Sequence, residues 1–142
     1  MNFGTIFYFV EIDIVTNNLT FLYSCFAVLP NPPTKLELTL AGKAKEKQSS
    51  KAGSYILADG LVNGYPHWLK TDGIQAIWFE KVSSSWAVAP KSLLGKNFAG
   101  ISGPDGKDDY PQEIESGWRY CAGGIHLDAS SNDVIFKAIG WF

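Results

Sequence analysis

Two histidines, two cysteines and one cluster of acids carry the side chains of this 142-residue chain best suited to catalysis or metal binding. His67 and His126 can exchange a proton near neutral pH. Either could join Asp59, Asp72 or Asp128 around a metal ion. No His-x-His, Cys-x-x-Cys or His-Glu-x-x-His spacing occurs, however. His67 stands between Pro66 and Trp68 in a predicted strand, and His126 stands within residues 125–127, so both read as packing residues. Cys121 would need a neighbouring base and a lowered pKa to act as a nucleophile, and the sequence supplies neither. The Gly-x-Ser-x-Gly elbow is absent, and Gly100-Ile101-Ser102-Gly103-Pro104 does not make one. Asp105, Asp108 and Asp109 lie near Glu113 and Glu115 and form the strongest acidic cluster. A calcium loop needs several oxygens in a fixed order. That order is missing and Lys107 opposes a cation, so the cluster reads as a solvated loop. No metal and no cofactor is expected.

The aromatic side chains are the larger resource. Trp68, Trp78, Trp86, Trp118 and Trp141 are present, and each indole buries on the order of 200 Å². Most must therefore be core, and Trp78 and Trp86 are expected inside. Trp68 with Tyr65 and His67, and Trp118 with Tyr120, are the candidate ligand-binding residues. An exposed aromatic plate beside polar groups is the usual means of holding a sugar ring or a peptide side chain.

Composition narrows the classes. An apolar share of 46% is too high for intrinsic disorder, and a formal charge of -2 gives no electrostatic reason to expect nucleic acid. Two cysteines cannot build a disulfide-dense scaffold. Residues 1–34 contain no Lys or Arg and two acids, Glu11 and Asp13, so the remaining 12 acids balance the 12 basic residues of the body. The densest basic run, Lys43, Lys45, Lys47 and Lys51, is interrupted by Glu46 and reads as a solvated loop.

The elements that must position these residues are short strands. Leu36-Glu37-Leu38-Thr39-Leu40 alternates as a half-buried strand. Residues 42–53 are polar and read as a loop. Tyr55-Ile56-Leu57 begins a strand that Asp59-Gly60 stops, and Asn63-Gly64 follows as a second turn signal, so the two suggest a compact corner. Residues 65–70 and 74–82 are strand candidates. Ser83-Ser84-Ser85 turns the second of them into 86–89, predicting an antiparallel pair with cross-strand aromatic contacts. Residues 93–117, rich in Gly, Pro, Asp and Lys, are expected to be irregular, with one helical turn at 112–116. Residues 118–121, 125–127 and 134–142 complete the set, separated by Gly123-Gly124 and Ser130-Ser131-Asn132-Asp133. No apolar 3.6-residue period runs over eleven positions, so the body is predicted all-β.

Residues 1–33 form an apolar N-terminal extension ahead of a module at 34–142, and the Pro30-Asn31-Pro32-Pro33 run marks the boundary. Two readings of the extension stay open. It is a leader with an apolar core at 19–29, cleaved after Ala27, which would favour secretion; or it is a hairpin. Against the leader, Glu11 and Asp13 replace the basic front end that a leader carries. For the hairpin, Ile6, Tyr8, Val10, Ile12 and Ile14 alternate and Thr16-Asn17-Asn18 supplies the turn. Asn18-Leu19-Thr20 matches a glycosylation acceptor. Cys25, if retained, could pair with Cys121. Membrane association is not expected unless this segment is an uncleaved anchor.

Gly53-Ser54-Tyr55, Val62-Asn63-Gly64-Tyr65-Pro66-His67-Trp68, Ala76-Ile77-Trp78-Phe79, Trp86, Leu94-Gly95, Gly100-Ile101, Pro111 and Trp118-Arg119-Tyr120 follow in that order. The series resembles a small β-rich module of multidomain invertebrate and protist proteins, over roughly residues 35–136. The resemblance implies domain limits and a non-enzymatic role. The resulting expectation is a single compact antiparallel β domain with long irregular loops, acting as a non-catalytic recognition module for a protein or a glycan. The alternatives are an assembly module that packs on neighbouring domains and a small enzyme.

Overall fold

A computed structural model describes residues 5–12, 21–28 and 31–141, the first two segments and Trp141 by backbone alone. The chain divides into two compact units, 1–31 and 32–142. In the first, β1 (Thr5–Ile12) pairs antiparallel with β2 (Phe21–Val28), Thr5 opposite Val28 and Ile12 opposite Phe21. The expected turn at Thr16-Asn17-Asn18, the Asn18 acceptor and the Cys25 side chain lie outside the described residues.

The second unit is all-β and antiparallel. Its strands are β3 (Pro33–Leu40), β4 (Gly53–Leu57), β5 (Trp68–Lys70), β6 (Gln75–Glu80), β7 (Ser85–Pro90), β8 (Ile101–Asp105), β9 (Arg119–Ala122), β10 (Ile125–Asp128) and β11 (Val134–Trp141). They form one nine-stranded sheet in the order β10-β9-β8-β7-β6-β5-β4-β3-β11. The sheet is curled, and the Trp118 ring, next to β9, packs at a tilt on Phe136 of β11 with centroids 4.6 Å apart. Pro33 opens β3, a place in a strand where a missing N–H costs little.

Strand alternation sorts the side chains into two faces. Leu36, Leu38, Tyr55, Trp68, Ile77, Phe79, Trp86, Val88, Ile101, Tyr120, Val134 and Phe136 point into the curl and are buried. The predicted pair of 74–82 with 86–89 is present as β6 and β7, with Phe79 opposite Trp86 and Trp78 opposite Ala87. Trp78 and Trp86 are both fully buried, as expected. β6 is buried along its whole length because its outward side chains are covered as well. Ala76, Trp78, Ala87 and Ala89 are small enough, apart from the indole, for Val62, Leu69, Leu93, Leu94 and Ala99 to lie over them.

Two expectations are corrected. Residues 42–53 are not a loop: Gly42–Gln48 is a helix, α1, followed by a 3-10 turn at Ser49–Lys51. Ala44 is the only side chain α1 buries, so the helix has no apolar stripe for a periodicity reading to detect. Gly42 enters it at φ +55°, where Cβ would meet the Asp133 carboxylate. The 93–117 segment is not wholly irregular either, since it contains β8. Gly103 reads as a breaker but serves packing: a Cβ there would stand 3.2 Å from the Trp118 ring. The helical turn expected near 112–116 is a 3-10 turn at Pro111–Glu113.

Candidate functional site

The five sequence-predicted ligand residues do not form an exposed plate. Trp68 is 0% exposed, because its place opposite Ile77 turns the indole into the curl. There it lies 5.7 Å from Trp86 and 6.1 Å from Tyr110, and Nε1 donates to the Pro33 carbonyl at 2.9 Å. Trp118 is 2% exposed and donates to the Ile114 carbonyl. Tyr120 is buried on the inner face. Tyr65 is the one of the five that is only half-buried. It stacks on Phe79 at 3.9 Å and donates its hydroxyl to the Lys107 carbonyl. The motif residues of the sequence therefore act as core and turn positions: Asn63, at φ +53°, also ties the 62–65 turn to the Phe79 carbonyl at 2.8 Å.

His67 is 7% exposed, and its Nδ1 is buried without a hydrogen-bond partner. Burial lowers its pKa from the ordinary 6.5, and a hydrogen bond to the Gly60 backbone offsets this only in part. The neutral ring is thus the folded form. Between pH 6.5 and the lower folded-state value, the unfolded chain binds the extra proton and the folded chain does not. This contribution is fully present above pH 6.5 and is lost as pH falls below it. Urea midpoints at pH 8, 6 and 5 should fall more steeply for the native chain than for His67→Gln. Parallel profiles would place the titrating group elsewhere.

Two acids of the 105–115 segment are engaged locally. Glu113 accepts from the Tyr110 N–H at 3.0 Å and Asp105 from the Lys107 N–H at 3.4 Å. Among the described residues, no group of three His, Cys, Asp or Glu is arranged to hold a metal ion.

Side chains with binding chemistry converge instead on the outer face of β8, β9 and β10. A cleft of about 410 Å³ opens there, bordered by Asn97, Phe98, Ser102, Arg119, Cys121 and His126. The Phe98 ring is 50% exposed. Arg119 donates from Nη2 to the His126 carbonyl at 3.0 Å, with Nε 3.6 Å from Asp128. His126 holds Nε2 2.9 Å from the Ala99 carbonyl. A carbonyl only accepts, so Nε2 carries the proton and a neutral ring leaves Nδ1 as its lone-pair nitrogen.

Cys121 faces His126 directly across the β9–β10 ladder. Its thiol is free and half-buried, and Gln48 of α1 donates to its backbone carbonyl at 2.7 Å. Lys51 is 8% exposed and has no carboxylate partner among the described residues. Burial pushes its ammonium below the usual lysine range, and the charge of Cys121 works the other way. Gly100 makes this placement possible, since a Cβ there would come within 2.5 Å of Lys51 Cε.

No protein-family model, curated protein or solved structure matches the chain. A second cleft, of about 490 Å³, lies between residues 112–116 and 131–136. Among the described residues that line it there is no cation and no exposed ring: its aromatic, Phe136, is buried against Trp118.

Two signals of the outer cleft were present in the sequence. Phe98 is an isolated ring in Gly95-Lys96-Asn97-Phe98-Ala99-Gly100, with no periodic partner to bury it. Gly123-Gly124, at φ +60° and +82°, is a two-residue hairpin turn, and counting outward from such a turn sets 121 opposite 126.

Proposed function

We propose that the chain is a non-catalytic recognition module and that a glycan is its ligand, held in the outer cleft. The observation that carries this reading is the half-exposed Phe98 ring beside Asn97, Ser102, Arg119 and His126. A phenyl ring offers a flat apolar surface to the C–H face of a sugar, while amide, hydroxyl and guanidinium groups answer its hydroxyls.

A binding role is favoured over hydrolysis by the state of the acids. Glycoside cleavage ordinarily uses two carboxyl groups about 5–10 Å apart. Glu80 is the one acid among the described residues that borders the cleft, and it is 5% exposed and committed to its own turn. It accepts from the Val82 and Ser83 N–H groups at 2.7 and 2.8 Å and from the Ser83 hydroxyl. Burial would raise the Glu80 pKa, but these hydrogen bonds outweigh it and hold the carboxyl below its ordinary value.

A glycan array followed by calorimetry on the best binder tests the proposal. Phe98→Ala and Arg119→Ala should each weaken binding at least about tenfold, a difference of about 1.4 kcal/mol, with an unchanged circular dichroism spectrum. Full affinity in both variants would remove the cleft from the reading. An array without any binder would remove the glycan.

A further inference from the structure

We propose that the open edge of β11 is a docking site for an extended peptide segment of a partner protein, which joins the sheet as a further strand and pairs with the Gln112 amide. β11 is the last strand of the order, so one of its edges is spent on β3 and the other is not. A single bond tells which groups lie on the open edge. The Ala41 N–H donates to the Asp133 carbonyl at 3.0 Å, one step beyond the pair of Leu40 with Val134. Along an antiparallel ladder, pairs that exchange hydrogen bonds alternate with pairs that do not. Ile135, Lys137 and Ile139 therefore turn their N–H and C=O groups to β3, and the Thr34 hydroxyl donates to the Ile139 carbonyl from that side. Val134, Phe136 and Ala138 turn theirs to the open edge. Among the described residues, no loop or turn hydrogen bond takes up these groups. Such a row is a template for another strand.

The site has a second wall. The 3-10 turn at Pro111–Glu113 lies against β11, and the cleft of about 490 Å³ opens between residues 112–116 and 131–136. The turn is fixed, because Pro111 is fully buried and Glu113 accepts from the Tyr110 N–H. Gln112 borders the cleft, and both Nε2 and Oε1 of its side chain are buried without a hydrogen-bond partner. Buried polar groups are ordinarily paired, and leaving a donor and an acceptor together unmet is unfavourable. The missing complement is one acceptor beside one donor, which is what a peptide group carries. The terminal torsion of a carboxamide is soft, so a strand entering the cleft can engage both atoms.

The lining also says what the peptide carries. Glu115 is the one charged residue among those described around the cleft; it is exposed and has no ion-pair partner among the described residues. A Lys or Arg of the peptide answers it. Ile135, 44% exposed at the same cleft, receives an apolar side chain from the residue opposite. Residues 134–138 offer an edge of about 14 Å at about 3.4 Å per residue, room for about five residues of peptide. A second copy of the chain is the poorer occupant. Lys137 stands exposed in the middle of the edge, a placement that discourages pairing between like edges. The 112–116 wall leaves space for a single strand rather than for the margin of another nine-stranded sheet.

The probe is a phage-displayed library of random nine-residue peptides panned on the full-length chain, with the best binder then made synthetically and titrated by calorimetry. Main-chain bonds supply the affinity in strand addition. Methylating the backbone nitrogens of one alternate set of peptide residues should therefore weaken binding at least about tenfold, and methylating the other set less than about twofold. Bound peptide should slow amide exchange at Val134, Phe136 and Ala138. Gln112→Met should weaken the peptide about tenfold while raising the urea midpoint of the free chain, because an apolar side chain of like shape replaces an unpaired amide. If that variant fails to fold, the two methylated peptides still decide. A panning without binders overturns the proposal, as does a binder that the two methylated sets weaken equally. Unchanged affinity in Gln112→Met overturns it too. A dimer in sedimentation equilibrium with β11 protected would identify a second copy as the occupant and overturn it likewise.

Discussion

The Trp86→Ala variant is expected to lose about 3–5 kcal/mol of folding stability, the range for removing a large buried aromatic. Trp86 is fully buried and central to the rings inside the curl. Tyr65 and Phe79 meet it edge-on at 5.8 and 5.4 Å, and Trp68 and Tyr110 lie at 5.7 and 6.3 Å. Its Nε1 also donates to the Asp109 carbonyl at 2.7 Å, which ties the acidic 105–109 loop to the sheet. Gly106 closes the last gap, since a Cβ there would stand 3.1 Å from Trp86 Cδ1. Truncation would leave a cavity whose walls are rigid rings, and rings cannot collapse inward as flexible aliphatic chains do. Total stabilities of such domains run about 5–15 kcal/mol, so the loss is a large fraction. Trp86→Phe separates ring from hydrogen bond: it keeps an aromatic in place, frees the Asp109 carbonyl and should cost about 1–2 kcal/mol. Urea midpoints with unchanged slope measure both. A Trp86→Ala loss under about 1.5 kcal/mol would mean that the ring cluster is not the centre of the core.

Much of this core was legible in the sequence, because period-two alternation around polar turns carries both strand and face. Leu36, Leu38 and Leu40 announce an inward face, and Ser83-Ser84-Ser85 between two apolar runs announces the β6–β7 pair. What stayed hidden is set by contacts distant in sequence. α1 buries a single alanine against the rest of the unit, so nothing in its own residues marks it as ordered. β8 carries Gly103 and Pro104, read locally as breakers, although Gly103 is required by a ring fifteen positions away. The candidate site failed to emerge for a related reason. Trp68 and Trp118 are chemically fit to stack on a ligand, but the ladder's register points Trp68 inward, and register is not written in composition. Phe98 shows the opposite case, exposed because the glycines and polar residues around it offer no element to bury it.

The clasp between the ends of the sheet gives the second large effect, and its signature differs from that of Trp86. Trp118 packs on Phe136 of β11, sits over Gly103 of β8 and donates to the Ile114 carbonyl at 3.1 Å. One side chain thus joins β11, the last strand of the order, to β8, the third from its other end. The Trp118→Ala variant should lose about 3–4 kcal/mol, and the loss should be local before it is global. β6 and β7 remain covered on both faces without the clasp, whereas β9, β10 and β11 lose the contact that closes them. Amide hydrogen exchange should therefore accelerate most in β9 to β11, with β6 and β7 following only the fall in overall stability. Trp118→Phe should restore much of the protection, since the ring contact survives without the indole N–H. Equal acceleration in every strand would show that the ends of the sheet open together with the core, and that no separate clasp exists.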